Sequence, residues 1–221
     1  FDEFTSKEHE ILTGTVSRID PRTGAVSIKI NSGAETTEAL LTAGEQVKGE
    51  TLHEGGRVKV YVVEVRRSTR GPQVLISRTH PGLVKRLFEL EVPEIFDGVV
   101  EICSIAREAG SRTKMAVSSN DESVDPIGAC VGPKGGRVSA VVDELHGEKI
   151  DVIAYSEKPE EYIAAALSPA TVLDVEFDGE RSALVHVSSD QLSLAIGKEG
   201  QNVRLAAKLT GCKIDIKGTK A

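Results

Sequence analysis

One block of sequence occurs twice in this chain, and that duplication restricts the fold more than any other feature. Val131-Gly132-Pro133-Lys134-Gly135-Gly136-Arg137-Val138 matches Ile196-Gly197-Lys198-Glu199-Gly200-Gln201-Asn202-Val203 at an offset of 65 residues. Downstream, 147–152 matches 211–216 at an offset of 64; upstream, 116–119 matches 186–189 at an offset of 70. Three matched blocks in one order mark two copies of a single structural unit. The offsets differ because the first copy has a longer loop at 120–125 and one extra helix residue.

Each copy reads the same way. A helix with Pro near its start is expected at 81–90 and again at 159–167, where the missing N–H costs nothing. Strands follow at 99–106 and 113–118, and at 171–177 and 183–188. A short helix then runs into Gly-x-x-Gly. In the helix after it, Val138, Val141, Val142 and Leu145 fall at i, i+3, i+4 and i+7, one apolar face. Gly147 and Gly211 end these helices, and Ile150-Asp151-Val152 and Ile214-Asp215-Ile216 close each copy as strands. Helix, strand, strand, helix, Gly-x-x-Gly, helix, strand is similar to the bacterial-type KH domain, a single-strand RNA-binding unit. Alone the loop motif says little; at one place in two copies of one pattern it says much.

The first eighty residues are built differently. Val26, Ile28 and Ile30 alternate with Ser27 and Lys29, and Val58, Val60 and Val62 alternate with Arg57, Lys59 and Tyr61. That period of two is a half-buried strand. Further strands are expected at 11–19 and 73–77, with turns at Asp20-Pro21-Arg22-Thr23-Gly24 and Asn31-Ser32-Gly33. The set resembles the S-one type of OB-fold RNA-binding barrel. The expected class is therefore multi-domain: an all-β OB-fold barrel at 1–79, then two α/β prokaryotic-type KH domains at 80–156 and 157–221.

Composition bounds the function. The chain has 221 residues, a net charge of −7 and a hydrophobic share of 39%, enough for packed cores. No apolar run approaches the roughly 18 residues of a membrane span, so no membrane role is expected. Cys103, Cys130 and Cys212 form no CxxC pair, which suits a reducing, cytoplasmic setting. Aromatics make up 4% and Trp is absent, leaving little for base stacking. Charge is uneven: residues 81–157 carry net −6, whereas 197–221 carry net +4 around the second glycine motif.

A Gly-x-x-Gly loop must bring backbone close to a phosphate–sugar chain, which side chains at its ends would block. The following helix offers free N–H groups at the same place. Candidate RNA-binding residues are Gly132, Pro133, Lys134, Gly135 and Arg137 in the first copy. In the second they are Gly197, Lys198, Glu199, Gly200, Gln201, Asn202, Arg204 and Lys208. Arg204 and Lys208, at i and i+4, share a helix face. Bases would lie on aliphatic residues, with Ile127, Val131, Leu194 and Ile196 as candidates; for any one of them core packing is the simpler reading. On the barrel, Tyr61 offers a stacking surface and Arg57 and Lys59 phosphate contacts, with ordinary sheet packing of Tyr61 equally open.

The runs 77–84, 87–95, 106–110, 147–151 and 191–202 extend the resemblance to nearly the whole chain. They resemble the family of the bacterial transcription elongation, termination and antitermination factor NusA. The resemblance implies binding of nascent single-stranded RNA and of RNA polymerase, with other Nus-type factors as further partners. It also implies a polymerase-binding domain ahead of the barrel. The chain does not begin with Met and is expected to be a piece of something longer.

Three other readings compete. Catalysis has no support: 132–137 lacks the spacer and ending of a phosphate loop, and His9, His53, His80, His146 and His186 make no metal-ligand spacing. No cofactor or metal is expected. An accessory RNA-binding module of an exoribonuclease would place KH before the barrel, the reverse of the order here. A protein scaffold would show no salt-dependent RNA binding. The junctions at 91–95 and 156–159 are short, so little swivel is expected. A monomer is expected.

Overall fold

The computed structural model describes residues 2–220. The chain divides into two compact units, Phe1–Leu87 and Phe88–Ala221.

The first unit begins with one helical turn, α1 (Asp2–Thr5), followed by β1 (Ile11–Ile19), β2 (Val26–Ser32), β3 (Glu35–Leu41), β4 (Arg57–Ser68) and β5 (Gly71–Ser77). All pairings are antiparallel. The order is β3-β2-β1-β4-β5, and β3 comes back against β5, so the sheet is a nearly closed five-stranded barrel. Val16, Ile28, Ile30, Leu41, Val60, Val62, Val74 and Ile76 fill it, and Phe4 is buried in the same cluster. Alternation explains β2 and β4. Strand β3 is missing from the sequence reading because its run Glu-Thr-Thr-Glu is mostly exposed and polar. A Cβ at Gly14 would meet the Lys29 carbonyl at 2.9 Å, so β1 and β2 can bend together there only with glycine.

Helix α2 (Pro81–Glu91) and the short α3 (Pro93–Phe96) follow, the latter where the sequence suggested only a junction. The second unit then holds both copies. The first comprises β6 (Val100–Glu108), β7 (Arg112–Ser119), α4 (Pro126–Val131), α5 (Gly136–Glu144) and β8 (Lys149–Ala154). The second comprises α6 (Pro159–Ala166), β9 (Asp174–Phe177), β10 (Ser182–Ser188), α7 (Leu192–Ile196), α8 (Gln201–Thr210) and β11 (Lys213–Thr219). Each forms a mixed three-stranded sheet with the same pairing, β6-β7-β8 and β9-β10-β11, first pair antiparallel and second parallel.

One hydrophobic cluster runs through both copies. Ala106, Ala116 and Ile153, from the first sheet, are buried with Ile163, Leu167, Leu205, Ala206 and Leu209 of the second copy. Small residues on the sheet let α6 and α8 pack close. Lys114 is fully buried at this junction. Its Nζ donates to Asp151 at 3.0 Å and to the Ser168 carbonyl of the second copy at 2.7 Å. Burial pulls its pKa below the ordinary lysine value, and Asp151 opposes that pull. Ser104 Oγ adds a bond to the Leu209 carbonyl at 2.8 Å.

Candidate nucleic-acid interface

The two glycine loops have nearly one conformation. Gly132 has φ 78°, ψ 171° and Gly197 has φ 79°, ψ 168°. Lys134 lies at φ 56°, ψ 26° and Glu199 at φ 55°, ψ 27°. Gly135 and Gly200 are left-handed at φ 72° and 76°. Three of the four residues in each loop therefore have positive φ. The first glycine occupies a region essentially closed to other residues. The fourth sits in the left-handed region. The third position carries a side chain there at a cost.

Packing adds a second constraint on the first glycine. A Cβ at Gly197 would fall 2.7 Å from the Asn202 nitrogen, and one at Gly132 would fall 2.6 Å from Arg137 Cγ. A Cβ at Gly135 meets nothing within 4 Å. The first glycine is thus demanded by close approach of the loop to its own helix, and the fourth by backbone angle alone. Each loop is a single tight turn between two helices, so Pro133, Lys134, Lys198 and Glu199 project outward and are exposed. Among the described residues no ion pair involves Lys134 or Lys198.

Apolar surface sits beside this charge. Leu194 is 44% exposed and Ile196 36%. Both lie on the helix that leads into the second loop, where burial would be the ordinary fate of such residues. Ile127 and Val131 hold the matching helix in the first copy and are half-buried. Four aliphatic side chains thus lie on the helices that lead into the two glycine loops.

The comparisons with known proteins agree with this geometry. Residues 78–155 match the family model "NusA-like first KH domain", and 159–221 match "NusA-like second KH domain". A Bacillus subtilis protein named "Transcription termination/antitermination protein NusA" is 55% identical over 219 residues, covering 98% of this chain and 57% of that protein. The chain belongs to the NusA family. Proteins of the same name from Mycobacterium bovis and Thermus thermophilus are 51% and 50% identical, over 99% and 97% of this chain and 64% and 54% of their own length. The chain thus spans little more than half the length of the NusA relatives it matches.

Several residues expected to meet RNA have other work in this NusA-family chain. Tyr61 is 7% exposed, with rings of His80 at 4.6 Å and His9 at 6.3 Å stacked on it. The expectation of an open stacking face there is corrected: neighbouring imidazoles already cover the ring. Arg57 is exposed and Lys59 half-exposed on the same strand. Asn202 is 5% exposed, and its Nδ2 donates to the Leu167 and Ala195 carbonyls at 3.0 and 2.9 Å. Its side chain ties α8 to α6 and α7, so a direct contact from it to RNA is corrected as well. Arg137 Nη1 donates to Glu94 at 2.7 Å and to the Ala129 carbonyl at 2.8 Å, which fastens the first loop from behind.

Arg204 and Gln201 turn toward the first copy. Arg204 Nε and Nη2 clamp the Glu108 carboxylate at 2.9 and 2.8 Å, and Nη1 reaches the Glu199 carbonyl at 3.0 Å. Gln201 Nε2 donates to Ser111 Oγ at 2.6 Å. The Arg204 bonds, with help from Gln201 and Lys208, hold the Glu108 carboxyl below the usual carboxylate range.

The sequence reading missed Glu108, Ser111, Arg112 and Lys149. The one available signal was basic residues standing inside a segment of net negative charge. It also missed a group formed only by strand pairing. Asp174, Glu176 and His186 bring ligand atoms within 4.8 Å of one another, with His186 Nε2 3.1 Å from Glu176 Oε2. The two carboxylates are exposed and His186 is half-buried; the group lies on β9 and β10.

Proposed function

We propose that this chain is the RNA-binding body of a transcription termination and antitermination factor, which holds nascent single-stranded RNA on its two glycine loops. The observation that carries the proposal is the paired loop geometry: two cradles with nearly the same backbone angles, each with one outward lysine, with aliphatic residues alongside that are half-buried in the first copy and exposed in the second. Backbone N–H groups and a few lysines suit a phosphate–sugar chain, and aliphatic surface suits bases without aromatic stacking. This reconciles RNA binding with an acidic chain poor in aromatics. Affinity per loop is modest, and two loops on one strand act together.

The modules are taken as a barrel at 1–79 and KH domains at 80–156 and 157–221, acting as a monomer in the cytoplasm. On the barrel itself, Arg57 and Lys59 are further phosphate contacts. RNA polymerase and other Nus-type factors are partners of the longer protein, and neither catalysis nor a cofactor is part of its work. Among the described residues no helix is long and apolar enough to cross a membrane. The exoribonuclease reading is disfavoured by module order, since the barrel precedes the KH pair.

The test is a salt titration of single-stranded RNA binding for the native chain, a Lys198→Asp/Glu199→Asp variant and a Pro133→Asp/Lys134→Asp variant. Asp tolerates the left-handed backbone at 134 and 199 better than most residues. Weaker binding is expected, with the slope against salt reduced by about 0.7 for each single-strand phosphate that a variant no longer neutralises. Equal binding by all three proteins would overturn the proposal.

A further inference from the structure

A cavity of about 390 Å³ opens beside the second glycine loop, and its walls come from both copies. Gly197, Lys198 and Leu194 form the side belonging to the second copy. Ser111, Arg112 and Lys149 form the other. Its size lies toward the small end of the roughly 300–1,000 Å³ typical of ligand sites. Among the described residues no carboxylate lines it, although the chain as a whole carries net −7. Three cations line it instead. Arg112 is already paired with Asp151 at 2.8 Å. Lys149 and Lys198 are exposed, and among the described residues neither is in an ion pair.

The wall from the first copy is fastened in place. The Gln201–Ser111 bond at 2.6 Å crosses the junction at the cavity, and the Arg204–Glu108 clamp crosses it nearby. Lys114 and Ser104 anchor the same sheet to the second copy from within. The cavity is therefore built into the packing of the two copies. Neither copy alone would form it.

We propose that this cavity is a nucleotide subsite for the RNA strand held on the second loop, with Lys149 of the first copy as a phosphate-binding residue. Lys198 and Lys149 attract the phosphate, and Leu194 offers apolar surface to the base. This goes beyond the paired-loop reading on which it rests, because it makes the second RNA site depend on a part of the first copy remote from that copy's own glycine loop. Lys149 begins β8, and Ser111 and Arg112 lie at the β6–β7 turn.

The experiment uses the whole chain and a fluorescent single-stranded RNA twelve-mer, read by anisotropy over a range of salt. Lys149→Glu is compared with Lys198→Glu and with Lys217→Glu. The last makes the same charge change at another exposed strand position. Circular dichroism and thermal melting confirm that each variant is folded. Lys149→Glu is expected to weaken binding about tenfold and to lower the salt slope by about 0.7, the effect of one phosphate, while Lys217→Glu stays within about twofold of native. The double variant Lys149→Glu/Lys198→Glu is expected to weaken binding by less than the product of the two single effects, because both lysines act on one phosphate. If Lys149→Glu matches Lys217→Glu while Lys198→Glu still weakens binding, the shared subsite is overturned and the loop reading stands. If Lys198→Glu has no effect either, the loop reading itself fails.

Discussion

Arg204 and Glu108 form a two-pronged ion pair across the junction of the two KH copies, at 2.8 and 2.9 Å. The residues are 96 positions apart in sequence. The same guanidinium also holds the Glu199 carbonyl, so one side chain connects the first copy to the second glycine loop. Its charge contributes through position: it fixes the loop relative to the first copy's sheet.

Glu108→Gln is therefore expected to lower stability by about 0.5–1 kcal/mol at pH 7, the range for a partly exposed pair with good geometry. The folded pKa of Glu108 lies below its unfolded value near 4.3. Its contribution is present above that unfolded value and disappears as pH falls through the lower folded value. Urea midpoints of native and variant should differ at pH 7 and converge in strong acid. A difference that persists unchanged in strong acid would contradict the pairing.

Glu148 is the larger stake. Its carboxylate is fully buried, receives Arg107 at 3.0 Å through two nitrogens, and accepts from Gly110 N and Thr113 Oγ1, each at 2.7 Å. Glu148→Ala leaves the Arg107 charge buried without this partner. The expected loss is about 3–5 kcal/mol, measured by chemical denaturation. A loss below about 1 kcal/mol would show that water or another group replaces the carboxylate.

The two glycines of the second loop should respond unequally. Gly200→Ala adds a Cβ in ordinary contact with Arg204 Nη1, at 3.9 Å, but at left-handed φ, costing about 1–2 kcal/mol. Gly197→Ala adds a Cβ 2.7 Å from a backbone nitrogen in a region closed to most residues, so its cost is greater. Thermal melts of the two variants rank them; equal melting temperatures would contradict the packing argument.

The cysteines provide an accessibility test. Burial pushes the Cys130 thiol up to about 11, and Cys103 is exposed. At pH 8 a thiol reagent is expected to modify Cys103 first and to reach Cys130 only in denaturant. Rapid native-state labelling of Cys130, read by mass spectrometry, would contradict the packing of α4.

What the sequence determined by itself was local and periodic. Two glycine pairs at matching places, an apolar stripe from Val138 to Leu145 and the alternation from Val58 to Val62 are set by angles and contacts between residues close in the chain. They identified the repeat, both loops and most of the elements, though not β3 or α3. What the tertiary structure decided was the use of individual side chains. Tyr61 and Asn202 look available in sequence, yet His9 and His80 close over one ring, and carbonyls from two other helices capture the other amide. Glu108 and Lys149 look like solvated charges until packing of α6 and α8 on the first sheet brings them beside the second loop. Such pairings span scores of residues, and no periodicity encodes them. They exist only because burying Ala106, Ala116 and Ile153 against Leu205 and Leu209 forces the two copies into one core.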